Sequence, residues 1–123
     1  MTFLETAKEI NNKGFKLILK TEIKRCDAFV TVYRYTKSDK IANSDDTRNI
    51  LINIYKENND FEFSCSITGP DQKVKASHMV VRVDGLRKEK ITIYDDKYKE
   101  ENTTSLPKLA INFEERFITD FAV

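Results

Sequence analysis

The alternation of apolar and polar residues predicts a chain built mainly from paired strands. Successive side chains of a strand point to opposite faces, so a period of two marks a strand with one buried face. The clearest case is residues 61–67, in which apolar residues alternate with Glu62, Ser64 and Ser66. By this criterion we expect six strands, at about 15–20, 28–35, 50–55, 61–67, 73–83 and 90–94.

Turn signals between these runs join the strands into three hairpins. Cys26 and Asp27 connect the first two runs, and the polar segment 56–60 connects the next two. Asp84-Gly85 connects the last two, and it is a favoured two-residue turn because both residues tolerate positive φ. The sequence therefore predicts an antiparallel sheet of about six strands.

A helix is predicted at each end of the sheet. Thr2 and Glu5 form a capping box, and apolar residues follow at helical spacing until Gly14. Ser105 is placed to cap a second helix. The apolar stripe of that helix is Leu106, Leu109, Phe113, Phe117 and Phe121. Residues 109–113 also fit a strand, but the stripe covers four turns and favours a helix.

The polar segment Thr36 to Thr47 is predicted to be a loop because it contains too little apolar surface to bury, and Asp95 to Thr104 is charged and has no apolar periodicity. We expect a single α+β domain over residues 1–123: an antiparallel sheet of about six strands in hairpins, with an N-terminal and a C-terminal helix. The helices would cover one face of the sheet. The pattern leaves open whether the other face is solvated or the sheet curls around the first helix.

Composition narrows the functional classes. The 123 residues include 21 Lys and Arg against 20 Asp and Glu, a net charge of +1, so no overall field draws the protein to nucleic acid or to an anionic membrane. Neither a secretion signal nor a membrane-spanning run is present, which predicts a cytoplasmic protein. Three separated glycines exclude Gly-rich phosphate loops, and two cysteines without metal-ligand spacing predict reduced thiols. We expect no cofactor.

No catalytic or metal-binding set is predicted. His78 is the single histidine, and either cysteine would form only a formal thiol pair with it. Cys65 fits a small core residue because it alternates between apolar neighbours. Carboxylates cluster at 45–46, 95–96 and 100–101, and Glu22-Ile23-Lys24 matches one piece of a metal-dependent nuclease pattern, but the aspartate expected on a preceding strand is missing. We expect a protein that is not an enzyme.

Two functional hypotheses remain. The first is a small non-enzymatic regulator or inhibitor that binds a larger protein or nucleoprotein complex through a sheet face, an edge strand or the segment 36–47. The frequent Lys, Asn and Ile are typical of AT-rich bacterial or phage genomes, in which counter-defence inhibitors such as anti-CRISPR proteins occur. The second hypothesis is an accessory protein that binds single-stranded DNA or RNA through a basic and aromatic sheet face.

The residues that suit partner binding interleave basic and aromatic side chains on two predicted hairpins. The candidates are Tyr33, Arg34, Tyr35, Arg82, Arg87 and Lys90. An unpaired edge strand would also allow homodimerisation by extension of the sheet.

Overall fold

The structure is a computed structural model that describes residues 3–25, 27–41, 43–56 and 60–98. These residues are mostly β, and they form a six-stranded antiparallel sheet in which each strand pairs with the next along the chain. The elements are α1 (Phe3–Asn12), β1 (Lys16–Arg25), β2 (Ala28–Lys40), β3 (Thr47–Tyr55), β4 (Phe61–Thr68), β5 (Val74–Val83) and β6 (Leu86–Ile93). The predicted antiparallel sheet is confirmed. The predicted C-terminal helix lies outside the described residues.

One face of the sheet, the core face, carries the hydrophobic core. Ile52 of β3 lies opposite Tyr35 of β2 and opposite Phe63 of β4, and each of these residues is at most 2% exposed. Ile10 of α1 belongs to the same buried cluster, so the helix packs on this face. The rest of the cluster is Ile50, Ile54, Phe61, Cys65, Ile67, Ala76, Val80 and Tyr98. The alternation predicted for β4 is confirmed by its burial, whereas in β3 Asn53 and Tyr55, on the opposite face, are buried as well.

The opposite face, the outer face, carries a row of hydrogen-bonded polar side chains across β2, β3 and β4. Arg34 Nε donates to Asn53 Oδ1 over 2.8 Å, and Asn53 Nδ2 donates to Glu62 Oε2 over 3.2 Å. The hydroxyl of Tyr55 donates to the second oxygen of Glu62 over 2.9 Å. Asn53 is only 4% exposed, and these bonds satisfy both ends of its amide. Hydrogen bonding between neighbours therefore stabilises this face.

The loop predicted for Thr36 to Thr47 is wrong at residues 36–40, which belong to β2, and at Thr47, which begins β3. β2 continues to Lys40 and stays in register with β3 as far as Thr47. Cross-strand bonds hold this extension: Arg48 Nε donates to Asp39 over 3.0 Å, and the Thr36 hydroxyl donates to the carbonyl of Ile50 over 3.1 Å. Polar side chains do not prevent a strand when a neighbouring strand satisfies its backbone.

Two strand boundaries also differ from the predictions. β6 begins at Leu86, four residues before the predicted strand, because Asp84 (φ 52°) and Gly85 (φ 79°) form a two-residue turn that pairs Val83 with Leu86 at once. β1 extends to Arg25, and its register shifts between Leu17 and Leu19. Because of this bulge, Leu17 and Leu19 lie on opposite faces of the sheet, although the sequence pattern placed them on one face.

Candidate functional site

His78 and Cys65, the formal thiol pair of the sequence, lie directly opposite each other on β5 and β4. The Nε2 atom of His78 is 2.6 Å from Glu89 Oε1 on β6, and Arg87 Nη1 donates to the other oxygen of Glu89 over 3.0 Å. The hydrogen bond with His78, followed by that from Arg87, lowers the pKa of Glu89. Thiol, imidazole and carboxylate are thus neighbours on the core face.

Burial prevents this trio from acting as an accessible nucleophilic site. Cys65 and His78 both have 0% exposure. Desolvation raises the pKa of the Cys65 thiol from 9.0 to about 12, so the reactive thiolate is scarce at neutral pH. The expectation that Cys65 is a core residue is confirmed, and the same burial makes His78 with Glu89 a polar anchor between β5 and β6.

A second buried polar cluster surrounds Asp46, in the connection between β2 and β3. Its carboxylate accepts a hydrogen bond from the Tyr98 hydroxyl and lies 2.9 Å from Lys75 Nζ. Lys97 Nζ is 3.9 Å from the same carboxylate, and Lys75 also lies 3.8 Å from Asp95. The bonds from Tyr98 and Lys75 lower the pKa of Asp46.

Two of the carboxylates considered above as metal ligands of a nuclease, Asp46 and Asp95, have a structural role in this cluster. Asp46 and Asp95 converge on the Lys75 ammonium group, so charge pairing inside the protein occupies them. No group of metal-ligating side chains is present within residues 3–25, 27–41, 43–56 and 60–98. Tyr98 falls in the charged segment 95–104, in which the sequence showed no apolar periodicity, yet it is 1% exposed. No local pattern marks this burial, because its partner, Asp46, is 52 positions away in the chain.

The six residues predicted to bind a partner do not form one surface. Tyr35 is 2% exposed and belongs to the core, so its ring is not available for stacking, contrary to the sequence expectation. Tyr33 packs partly against the same core, and Lys20 Nζ lies 5.3 Å from its ring centroid. Arg34 points to the outer face, where it binds Asn53. The β2 residues are therefore committed to packing and to hydrogen bonds inside the sheet.

The other three predicted residues lie together on the last hairpin. Arg82 is directly opposite Arg87, and both side chains belong to the core face, whereas Lys90 belongs to the outer face opposite Met79. Four strand spacings separate β2 from β6, about 19 Å at 4.8 Å each. The Tyr33 group and the Arg87 group are therefore too far apart for one small ligand to contact both.

The β6 edge, defined by Arg82, Leu86, Arg87, Lys88 and Lys90, is a basic, exposed border of the sheet. β6 is exposed at its first six residues, and Leu86 is 69% exposed at its start. Three of the residues from 86 to 90 are basic, against the single acid Glu89. Met79 and Tyr94, which are 50% and 71% exposed, add apolar surface beside it. Arg82, Arg87 and Lys90 are candidates predicted from the sequence, and Leu86 and Lys88 lie beside them on the same edge.

The β1 edge, defined by residues 17–23, is the opposite border of the sheet. Leu17, Ile18, Leu19 and Ile23 are between 37% and 55% exposed, although each is a large apolar residue. This segment was not among the sites predicted from the sequence. Its signal was the run of three consecutive apolar residues at 17–19, which a strand with one buried face does not require.

Comparisons with protein families, with curated proteins and with solved structures find no match to this chain. None of the helical segments in the described ranges has the length and apolarity needed to cross a membrane.

Proposed function

We propose that the protein is a small non-enzymatic regulator or inhibitor that binds an extended, acidic segment of a larger protein along the β6 edge. The observation that carries this proposal is the exposed border Leu86–Lys90, which combines the last strand of the described sheet with an excess of basic side chains. A segment that pairs with an edge strand gains affinity from main-chain hydrogen bonds and specificity from alternate side chains.

The alternation of side chains between the two faces of β6 indicates which side chains a partner strand needs. Leu86, Lys88 and Lys90 form the outer-face row, in which an apolar side chain is followed by two basic ones. Arg82 and Arg87 supply positive charge on the core face. A complementary strand carries Asp or Glu opposite Lys88 and Lys90, and an apolar residue against Leu86, because opposite charges and apolar pairs stabilise directly opposed positions.

Contacts within the protein order β6 before a partner binds. The backbone N–H of Asp84, in the turn before β6, donates to Oδ1 of Asp60, the residue just before β4, over 3.2 Å. Glu89 bonds both His78 and Arg87, which anchors the middle of β6 to β5. A strand that is already ordered loses little conformational entropy on binding, which favours affinity.

The frequent Lys, Asn and Ile, typical of AT-rich bacterial or phage genomes, support a counter-defence inhibitor of the anti-CRISPR kind, encoded by a phage or mobile element. Such an inhibitor needs no catalytic group, since occupying a functional surface of its target is sufficient. An acidic segment of a protein or nucleoprotein complex is the partner that best suits the charge of the β6 edge.

The test is affinity capture of the tagged protein from lysate of its host, with and without nuclease, followed by mass spectrometry. We expect a protein partner that survives nuclease treatment and is lost with the variant K88E/K90E. The matched control is K8E/K24E, which makes the same charge change at exposed lysines of α1 and β1.

Either of two results contradicts the proposal. Recovery that disappears with nuclease would indicate the nucleic-acid alternative, since phosphate contacts account for such binding. A partner retained equally by K88E/K90E and by K8E/K24E would show that the β6 edge does not bind it.

A further inference from the structure

The β1 edge offers a surface that the proposed function does not use. β1 is the first strand of the sheet, and it pairs on one side only, with β2, within the described residues. Eight of its ten residues are exposed, including four large apolar ones. An exposed apolar edge strand presents backbone N–H and C=O groups and apolar side chains with which another strand can pair.

We propose that the strand is β1 of a second copy of this chain, paired antiparallel with Thr21 on the two-fold axis. Two copies that extend one sheet are related by an axis perpendicular to it, which places residues of the same face opposite each other. With Thr21 on the axis, Lys20 of each copy lies opposite Glu22 of the other. Leu19 of each copy lies opposite Ile23.

Every pair near this axis is favourable. The two Lys20–Glu22 contacts join opposite charges on the core face, and the two Leu19–Ile23 contacts join exposed apolar side chains on the outer face. The Thr21 residues meet at the centre as a like pair that also suits a sheet. The overlap runs from Leu17 to Arg25, and the bulge between Leu17 and Leu19 lies near its two ends, so the five central residues, 19–23, pair regularly.

Charge excludes the neighbouring registers. An axis on Lys20 places that residue opposite its own copy and Lys16 opposite Lys24. An axis on Glu22 places that carboxylate opposite its own copy and Lys20 opposite Lys24. Directly opposed like charges destabilise a strand pair, so both registers are disfavoured.

An axis on Leu19 avoids like charges but gives a poorer match. Only Lys16 to Glu22 then overlap, and the register shift between Leu17 and Leu19 falls beside the axis. A bulge interrupts the pairing of a strand and bends it, so a bulge at the centre weakens the dimer contact. Lysines protect an edge strand from indiscriminate pairing. Among the registers without opposed like charges, the Thr21-centred one has the longest overlap, and its bulge lies away from the axis.

The test measures the mass of the protein in solution by sedimentation equilibrium. The wild type is expected to be a dimer at about 100 μM, a concentration at which a complex with micromolar Kd is largely assembled. K20E and E22K should each lower the association constant about tenfold or more, because each replaces two opposite-charge pairs by two like-charge pairs. K24E is the matched control, since it makes the same charge change on the same strand opposite an uncharged residue.

Restoration of pairing separates this register from a general effect of charge. The double variant K20E/E22K and a mixture of K20E with E22K should both dimerise again, because each recreates the opposite-charge pairs. The proposal is overturned by a wild type that stays monomeric at this concentration, or by a mixture in which pairing is not restored. Because neither variant touches β6, partner capture by the monomeric variants reports on the proposed function separately.

Discussion

The hydroxyl of Tyr98 donates a hydrogen bond to the carboxylate of Asp46, although 52 positions separate the two residues in the chain. Both are at most 3% exposed, so neither side chain can exchange this partner for water. Lys75 supplies the compensating positive charge at 2.9 Å. The bond links the segment after β6 to the connection between β2 and β3, and Tyr98 also packs in the hydrophobic core.

Substitution Tyr98→Phe should destabilise the protein by about 2 kcal/mol, because it removes a hydrogen bond to a charged group and leaves the Asp46 carboxylate partly unsatisfied. Urea unfolding followed by circular dichroism measures the change in free energy. Tyr94→Phe is the control, since Tyr94 is 71% exposed and should change the stability little. Equal effects of the two substitutions would show that the Tyr98 hydroxyl contributes nothing.

Asp46 should contribute to acid sensitivity. Its pKa is lowered in the folded state by the bonds from Tyr98 and Lys75, so its contribution to stability is complete above the ordinary value of 3.8 and is lost as the pH falls through the lowered pKa. Asp46→Asn should therefore flatten the decline of the unfolding free energy below about pH 4. Urea unfolding at a series of pH values checks this, with Asp45→Asn at an exposed position as the control. An unchanged decline in Asp46→Asn would contradict the prediction.

The thiol of Cys65 should be inert in the folded protein. Its pKa of about 12 leaves little thiolate, and its side chain is fully buried. In a Cys26→Ser background, labelling with a disulfide reagent at neutral pH should be at least about a thousandfold slower in the native protein than in the urea-unfolded protein. Rapid labelling of the native protein would show that the thiol is reachable, and it would revive Cys65 with His78 as a candidate nucleophile.

The turn between β5 and β6 should be sensitive to the backbone conformation at Gly85. Its φ is +79°, and an added Cβ would meet no atom within 4 Å, so conformational strain alone determines the cost. Gly85→Ala should destabilise the protein by about 1 kcal/mol. Gly85→Asn should cost less because Asn tolerates the left-handed region better. Thermal or urea unfolding of the two variants gives the comparison, and an Asn variant less stable than the Ala variant would refute this account.

Part of the candidate site could be predicted from the sequence. Arg82, Arg87 and Lys90 flank the Asp84-Gly85 turn, whose local conformation the residue types favour, so their place on one hairpin follows from chain proximity. The same reasoning does not hold for Arg34 and Tyr35, which are neighbours in the chain but do not share a surface, because adjacent strand residues point to opposite faces. One of them binds Asn53 on the outer face, while the other is buried in the core.

The sequence by itself determined the elements whose signals are local. The alternation at 61–67 and the turn at Asp84-Gly85 lie within a few residues, so strand type and hairpin pairing could be read from them. Tertiary structure decided what depends on distant partners: the extension of β2 to Lys40 along β3, the burial of Tyr98 against Asp46, and the edge position of β1. A period of two shows that one face of a strand is apolar, but only the position of the strand in the sheet decides whether another layer covers that face.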